Sequence, residues 1–215
     1  MSGGTRRAVV ALGSNLGDRA ELLRAAVAEI DATAGVSVVA ASAPVSSVAV
    51  TLEGPDESKP EYLNAVLIAD VDLEPLELLD ALAAIEQQHG RVRDERWGDR
   101  TLDLDIVALG DVELATERLT LPHPRAAERA FVLEPWLQVD PEARLGRAGR
   151  VADLLELLPD RTRVVPGAGR LDRPPTARPE PDVEPTPPDP TPTASTSTPT
   201  TSTPTTSTPT LGGPA

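Results

Sequence analysis

The sequence predicts an α+β fold in which two helices pack on an antiparallel sheet. Three observations carry this expectation. Short apolar runs alternate with apolar stripes at helical spacing over residues 6–109. Gly, Pro, Asn and Asp punctuate the joins between them. The succession is strand, helix, strand, strand, helix, strand, which is a split βαβ unit used twice.

Each element has its own reason. Arg6–Gly13 is a short β-branched run and reads as a buried strand. Asp18 is placed to cap a helix, and Leu22, Leu23, Ala26, Val27 and Ile30 fall on one helical face that ends near Gly35. Val36–Ala43 reads as a strand. Residues 44–61, with Pro44, Gly54, Pro55 and Pro60, read as a long loop. Tyr62–Val71 (YLNAVLIADV) is a strand. Pro75 suits a helix start, with Leu76, Leu79, Leu82, Ala83 and Ile85 as the apolar stripe before His89 and Gly90. Residues 90–100 form a charged loop, Thr101–Leu109 a strand with a hairpin return at Val112–Leu114, and 126–138 and 151–158 helices. This is the βαββαβ order of a ferredoxin-like sandwich, with helices on one sheet face and the other face left for a ligand.

The composition excludes several classes. There is no cysteine, hence no disulfide scaffold, thiolate metal site or cysteine nucleophile. No apolar run approaches the roughly 20 residues of a membrane span. Twenty basic and 34 acidic residues give a net charge of −14, which disfavours nucleic acid and anionic membrane as partners. The apolar run after Arg6 and Arg7 stops at Leu12, too short for an export signal, so a cytoplasmic protein is expected. The acidic excess lies in residues 1–160, so any polyphosphate site there must be made locally, by clustered Arg, backbone N–H groups or metal ions. Fourteen of the 23 prolines follow residue 160, and the end repeats STSTP, TTSTP, TTSTP. The expected organisation is a domain over 1–160 and a disordered Pro/Thr/Ser-rich tail over 161–215.

The chemistry concentrates in GRVRDERWGDRTLDLDIVALG, residues 90–110. Side chains alternate faces along a strand, so Leu102, Leu104 and Ile106 share one face and Asp103 and Asp105 the other. Two parallel carboxylates suit a hard cation such as Mg²⁺, which takes one or two carboxylates and completes its shell with phosphate oxygens. The same alternation is also what any half-exposed strand shows. Arg91, Arg93, Arg96 and Arg100 cluster within ten residues of an acidic chain that has one lysine. Their planar forks suit phosphate, although Asp94, Glu95 and Asp99 among them also fit a solvated, ion-paired loop. Joined, an Arg loop running into a two-carboxylate strand meets the need of phosphoryl transfer for Arg and metal together. No GxxxxGK[ST] is present, so the chain is not a P-loop enzyme.

Five segments in order, ALGSNLGD (11–18), EYLNAV (61–66), IEQQHGRVR (85–93), RWGDRTLDLDI (96–106) and ERLTLPHP with ERAFVL (117–124 and 128–133), resemble the 6-hydroxymethyl-7,8-dihydropterin pyrophosphokinase family of folate biosynthesis. The resemblance spans about residues 6–158 and is carried most specifically by the RWGxRxLDLDI stretch. It implies transfer of the diphosphate of MgATP to the hydroxymethyl group of the pterin, with release of AMP. It implies two Mg²⁺ ions on Asp103 and Asp105, and Arg91 and Arg100 as the arginines that contact phosphate during transfer. Arg93 and Trp97 match a loop over ATP, His123 and Arg129 phosphate-binding positions, and Glu86, Ile106, Arg118 and Thr120 nucleotide-side positions. Tyr62, Asn64 and Phe131 match the pterin site, two rings around a flat heterocycle and an amide at its edge. The expected partners are therefore ATP and the pterin, with no nucleic acid and no membrane, in a cytoplasmic monomer. The alternative reading is a non-catalytic or impaired ferredoxin-like nucleotide-binding module. The family's pattern is departed from at Asp99, at Pro124 and over residues 45–60.

Overall fold

The computed structural model describes residues 4–51, 54–56, 60–89, 101–159 and 161–173. In chain order the elements are β1 (Arg6–Ser14), α1 (Arg19–Asp31), β2 (Val36–Ala41), β3 (Val45–Ser47), the pair β4 (Ala49–Thr51) and β5 (Gly54–Asp56), then β6 (Tyr62–Val71), α2 (Pro75–Gln88) and β7 (Asp103–Leu109). The pair β8 (Leu114–Ala115) and β9 (Thr120–Leu121) follows, then α3 (Ala130–Val139), the pair β10 (Arg144–Leu145) and β11 (Gly149–Arg150), α4 (Val151–Glu156) and β12 (Arg163–Val164).

Local chemistry sets the two main helices. Gly17 takes the left-handed conformation at φ 66°, which a side chain would resist, and turns the chain out of β1. Asp18 then caps α1 by accepting the Glu21 N–H at 3.2 Å. Pro75 opens α2 where its missing N–H costs nothing, and the Glu77 carboxylate accepts the Glu74 N–H at 2.9 Å.

β1 lies between β6 and β7 and is antiparallel to both. The far edge of β6 takes β2 along one half and β3 along the other. β1 and β2 are thus parallel with β6 between them, the split βαβ connection that the succession of elements predicts. Ala8, Val10 and Leu12 of β1 face α1 and α2 with Leu63, Ala65 and Leu67 of β6 and Leu104 and Ile106 of β7. Leu23, Ala26, Val27 and Ile30 of α1 and Leu78, Leu82 and Ile85 of α2 close this core. Leu76, expected in the stripe, is exposed, because Leu78 takes the inward position one turn before Leu82.

The pairing of β1 with β7 contains a bulge. Val9 faces Ala108 and Val10 faces Ile106, so Val107 has no partner of its own in the ladder. Beyond it, Ala11 faces Asp105 and Gly13 faces Asp103.

Three expectations are corrected. The second sheet face is not open throughout: Val9, Val66, Ile68 and Val107 form a second core with Val132, Leu133 and Trp136 of α3 and Val151 of α4. Among the described residues, the end near Gly13 stays clear of it. The expected loop over 44–61 contains β3, whose Val45 and Ser46 are buried. Its three residues, directly after Pro44, pair with the start of β6. The packed region also passes residue 160, since β12 pairs with β3 and Leu171 is 5% exposed inside the first core.

Candidate functional site

The second face, covered at one end and clear near Gly13 among the described residues, is built by strand alternation. Val9, Ala11 and Gly13 point to it from β1, and Tyr62, Asn64 and Val66 from β6. Asp103 and Asp105 point to it from β7. The registers set Asn64, Gly13 and Asp103 in one row across three strands, and Val66, Ala11 and Asp105 in the next. Residues far apart in sequence thus become lateral neighbours on a rigid floor.

Gly13 leaves this floor open. A Cβ built there lies 3.5 Å from Asn64 Oδ1 and 3.9 Å from the Asp103 Cβ. Asn64 is buried and donates from Nδ2 to Ser47 Oγ at 2.8 Å, which aims its Oδ1 toward Gly13. Sequence reasoning missed Gly13 and Ser47. The signal for Gly13 was legible, since Ala11 and Gly13 are small residues on one face of a strand otherwise rich in Val and Leu. Ser47 carried no signal, because its strand is visible only through its pairing.

Positive charge comes from the segment before α3. Arg129 Nη1 lies 3.5 Å from Asp105 Oδ2, and His123 Nε2 lies 4.0 Å from the same oxygen. The His123 N–H donates to the Val107 C=O at 2.9 Å, which ties this segment to β7. Burial holds the His123 imidazole below its ordinary range, Arg129 adds to that, and Asp105 opposes it. Burial also lowers Arg129 while Asp105 opposes, yet a guanidinium stays charged at neutral pH. The Arg129 Cζ lies 5.6 Å from the Phe131 ring centroid, a cation–π contact that fixes both side chains at the start of α3.

The nucleotide-side expectations separate. Ile106 is 2% exposed and faces the helices, so only its backbone, on the outer side of β7, could meet a ligand. Glu86 is also 2% exposed, and its Oε1 accepts the Leu104 N–H at 2.8 Å. That places a buried carboxylate behind the strand segment that carries Asp103 and Asp105. Arg118 is exposed and pairs with Asp80 of α2. Thr120 and His123 line an open groove of about 520 Å³ with Leu121, Pro122 and Leu145. Arg91, Arg93, Trp97 and Arg100 lie outside the described residues.

The donors fit Mg²⁺. Asp103 and Asp105 offer hard oxygen ligands side by side above a glycine floor. Among the described residues no group of three or more His, Asp or Glu could hold a metal alone.

A sequence profile of the 7,8-dihydro-6-hydroxymethylpterin-pyrophosphokinase family matches residues 9–141. A 2-amino-4-hydroxy-6-hydroxymethyldihydropteridine pyrophosphokinase of Synechocystis is 42% identical over 77% of this chain and 82% of its own length. One of Pseudomonas aeruginosa is 42% identical over 72% of this chain and 93% of its own. One of Mycobacterium bovis is 39% identical over 78% and 90%. Among solved structures, the Plasmodium falciparum HPPK-DHPS wild type superposes with a TM-score of 0.54 at 14% identity. That match covers 71% of this chain and 44% of the longer Plasmodium chain, and it speaks to the fold.

Proposed function

The chain belongs to the 7,8-dihydro-6-hydroxymethylpterin-pyrophosphokinase family, and from that premise we propose how its cleft divides the work of the reaction. The reaction is the transfer of pyrophosphate from ATP to the hydroxymethyl group of 6-hydroxymethyl-7,8-dihydropterin in folate biosynthesis. No observation favours the non-catalytic module.

The single observation that carries the assignment of roles is the row Asn64–Gly13–Asp103. An amide on β6 and a carboxylate on β7 flank Gly13 of β1, which supports reading the amide as the partner of the pterin edge and the carboxylate as a metal ligand. On this reading the pterin lies over Gly13 between the rings of Tyr62 and Phe131, with Asn64 Oδ1 accepting from its edge. Its hydroxymethyl group then points toward Asp103 and Asp105.

Asp103 and Asp105 would hold two Mg²⁺ ions together with the ATP phosphates. Ions held by these two carboxylates would supply charge neutralisation at the phosphates and a more acidic pterin hydroxyl. Arg129 and His123 flank Asp105 from the other side and would meet the β- and γ-phosphates. Arg91 and Arg100 are assigned to the charge that develops during transfer, and Arg93 and Trp97 to covering the nucleotide. Thr120, Arg118 and the backbone at Ile106 would bound the base and ribose. Glu86 supports this side through Leu104. All the residues assigned here belong to one chain, and we read the protein as a cytoplasmic monomer. Among the described residues no helix is long and apolar enough to cross a membrane.

The test is a product assay with ATP, Mg²⁺ and 6-hydroxymethyl-7,8-dihydropterin. Pterin-dependent AMP without ADP is the expected result. ADP would mean transfer of a single phosphoryl group and would overturn the reading.

A further inference from the structure

Residues 161–173 (RTRVVPGAGRLDR) follow the last helix and precede the proline-rich repeats. Arg163 pairs with Ser46 and Val164 with Val45, so this segment shields the outer edge of β3. Its strand residues bury almost nothing: Val164 is 86% exposed. What anchors the segment lies on either side. Leu171 sits in the first core, and its N–H donates to the Ser42 C=O at 3.1 Å. Val165 packs partly against the same core.

Two residues of this strap, Arg163 and Thr162, make polar contacts that reach the walls of the pterin cleft. Arg163 pairs with the Glu61 carboxylate, which also accepts the Ser46 hydroxyl. The Glu61 C=O accepts from Arg19 of α1. Glu61 immediately precedes Tyr62, and Ser46 precedes Ser47, whose Oγ receives the Asn64 amide. On the opposite wall, the Thr162 hydroxyl and N–H both donate to Glu134 of α3. Glu134 lies one helical turn after Phe131. Adjacent residues of one extended segment therefore hold the wall of Tyr62 and Asn64 and the wall of Phe131 at the same time.

We propose that Arg163 and Thr162 are positioning residues for the pterin, fixing the separation and tilt of the two walls from a segment that touches neither substrate. This rests on the pterin reading above. The effect of Arg163 falls mainly on the pterin side. The Arg163 pair lies on the wall of Tyr62 and Asn64, away from the Arg129 and His123 contacts to Asp105, so MgATP affinity should respond to Arg163 less than pterin affinity does. An ion pair as exposed as Arg163 with Glu61 contributes little to stability. Removing it should leave the fold standing and expose the positioning effect.

The experiment uses the full chain and titrates 6-hydroxymethylpterin by its fluorescence, with and without a non-hydrolysable MgATP analogue. Nucleotide affinity is measured separately. Arg163→Ala should weaken pterin binding about threefold, the scale of one exposed pair. Arg163→Lys should restore most of it. The double variant Thr162→Val with Arg163→Ala should weaken it about tenfold, because the tie to one wall is lost and the hydroxyl tie to the other is lost with it, leaving only the Thr162 backbone N–H and Arg161 on Glu134. Nucleotide affinity should change less than pterin affinity in Arg163→Ala. Unchanged pterin affinity in the double variant would overturn the proposal. So would equal losses for pterin and nucleotide in Arg163→Ala, which would mean general loosening. Failure of the wild-type chain to bind the pterin at all would overturn the pterin reading itself, and the proposal with it.

Discussion

In the floor of the cleft, a methyl group on Gly13 would stand 3.5 Å from Asn64 Oδ1 and 3.9 Å from the Asp103 Cβ. Both are ordinary contact distances, so Gly13→Ala should fold without strain. The backbone there is not left-handed, and alanine narrows the unfolded ensemble, so stability should stay equal or rise by about 0.4–1 kcal/mol. Binding should respond in the opposite sense. The methyl occupies the layer on which a flat ring would rest, and overpacking of a well-fitted site costs about 1–3 kcal/mol. That is a loss of about 5-fold to 150-fold in pterin affinity. Urea unfolding and pterin titration of the same preparation measure both quantities. Unchanged pterin affinity would mean that the ring does not lie between Asn64 and Asp103. A large loss of stability would mean that Gly13 is held by the fold and says nothing of a ligand.

Other expectations follow from the same geometry. Asp103→Asn or Asp105→Asn should abolish turnover and the Mg²⁺-dependent part of nucleotide binding, leaving metal-free nucleotide binding closer to intact; retained turnover would remove both from the metal site. Glu86→Ala should destabilise the chain by about 1–3 kcal/mol, the cost of an unsatisfied buried N–H at Leu104. Glu86→Gln keeps an acceptor and should recover most of that loss in thermal unfolding. The His123 imidazole, held down by burial and by Arg129, should titrate below 6.5 in the metal-free protein by NMR. The unfolded chain then binds that proton more readily than the native one, so His123 favours folding increasingly as pH rises through the window just below 6.5. A midpoint above 6.5 would mean that Asp105 dominates its surroundings.

The parts of this site that rest on strand alternation could be read directly from the chain. Asp103 and Asp105 between Leu102, Leu104 and Ile106 had to face away from the helices, and Asn64 had to accompany Tyr62. The charge on α2 was legible in principle: Leu78, Leu82 and Glu86 recur every four residues, which puts an acid in line with buried leucines. It was obscured by a stripe drawn through Leu76 and Leu79. β3 was not legible, because three residues after a proline carry no period. Its pairing comes from β6, and its outer edge is completed by a segment more than a hundred residues later. The strap shares that problem. Two exposed strand residues and one buried leucine do not separate it from the polar, proline-rich stretch it leads into.

The unpaired Val107 has a consequence for how this strand can change over time. Were the ladder regular at that point, Val107 would face Val10 and Asp105 would face Leu12, turning both carboxylates under α1 and α2. Carboxylates driven into hydrocarbon cost several kcal/mol each, so such a chain would lose its fold along with its activity. Gaining or losing one residue between Asp105 and the bulge has the same result, since it reverses the side on which everything beyond it emerges. Only length changes in steps of two, or a compensating shift of the bulge, preserve the charge on the cleft side. Selection for a folded protein and selection for a metal-binding surface are thereby enforced by a single constraint, the evenness of a residue count.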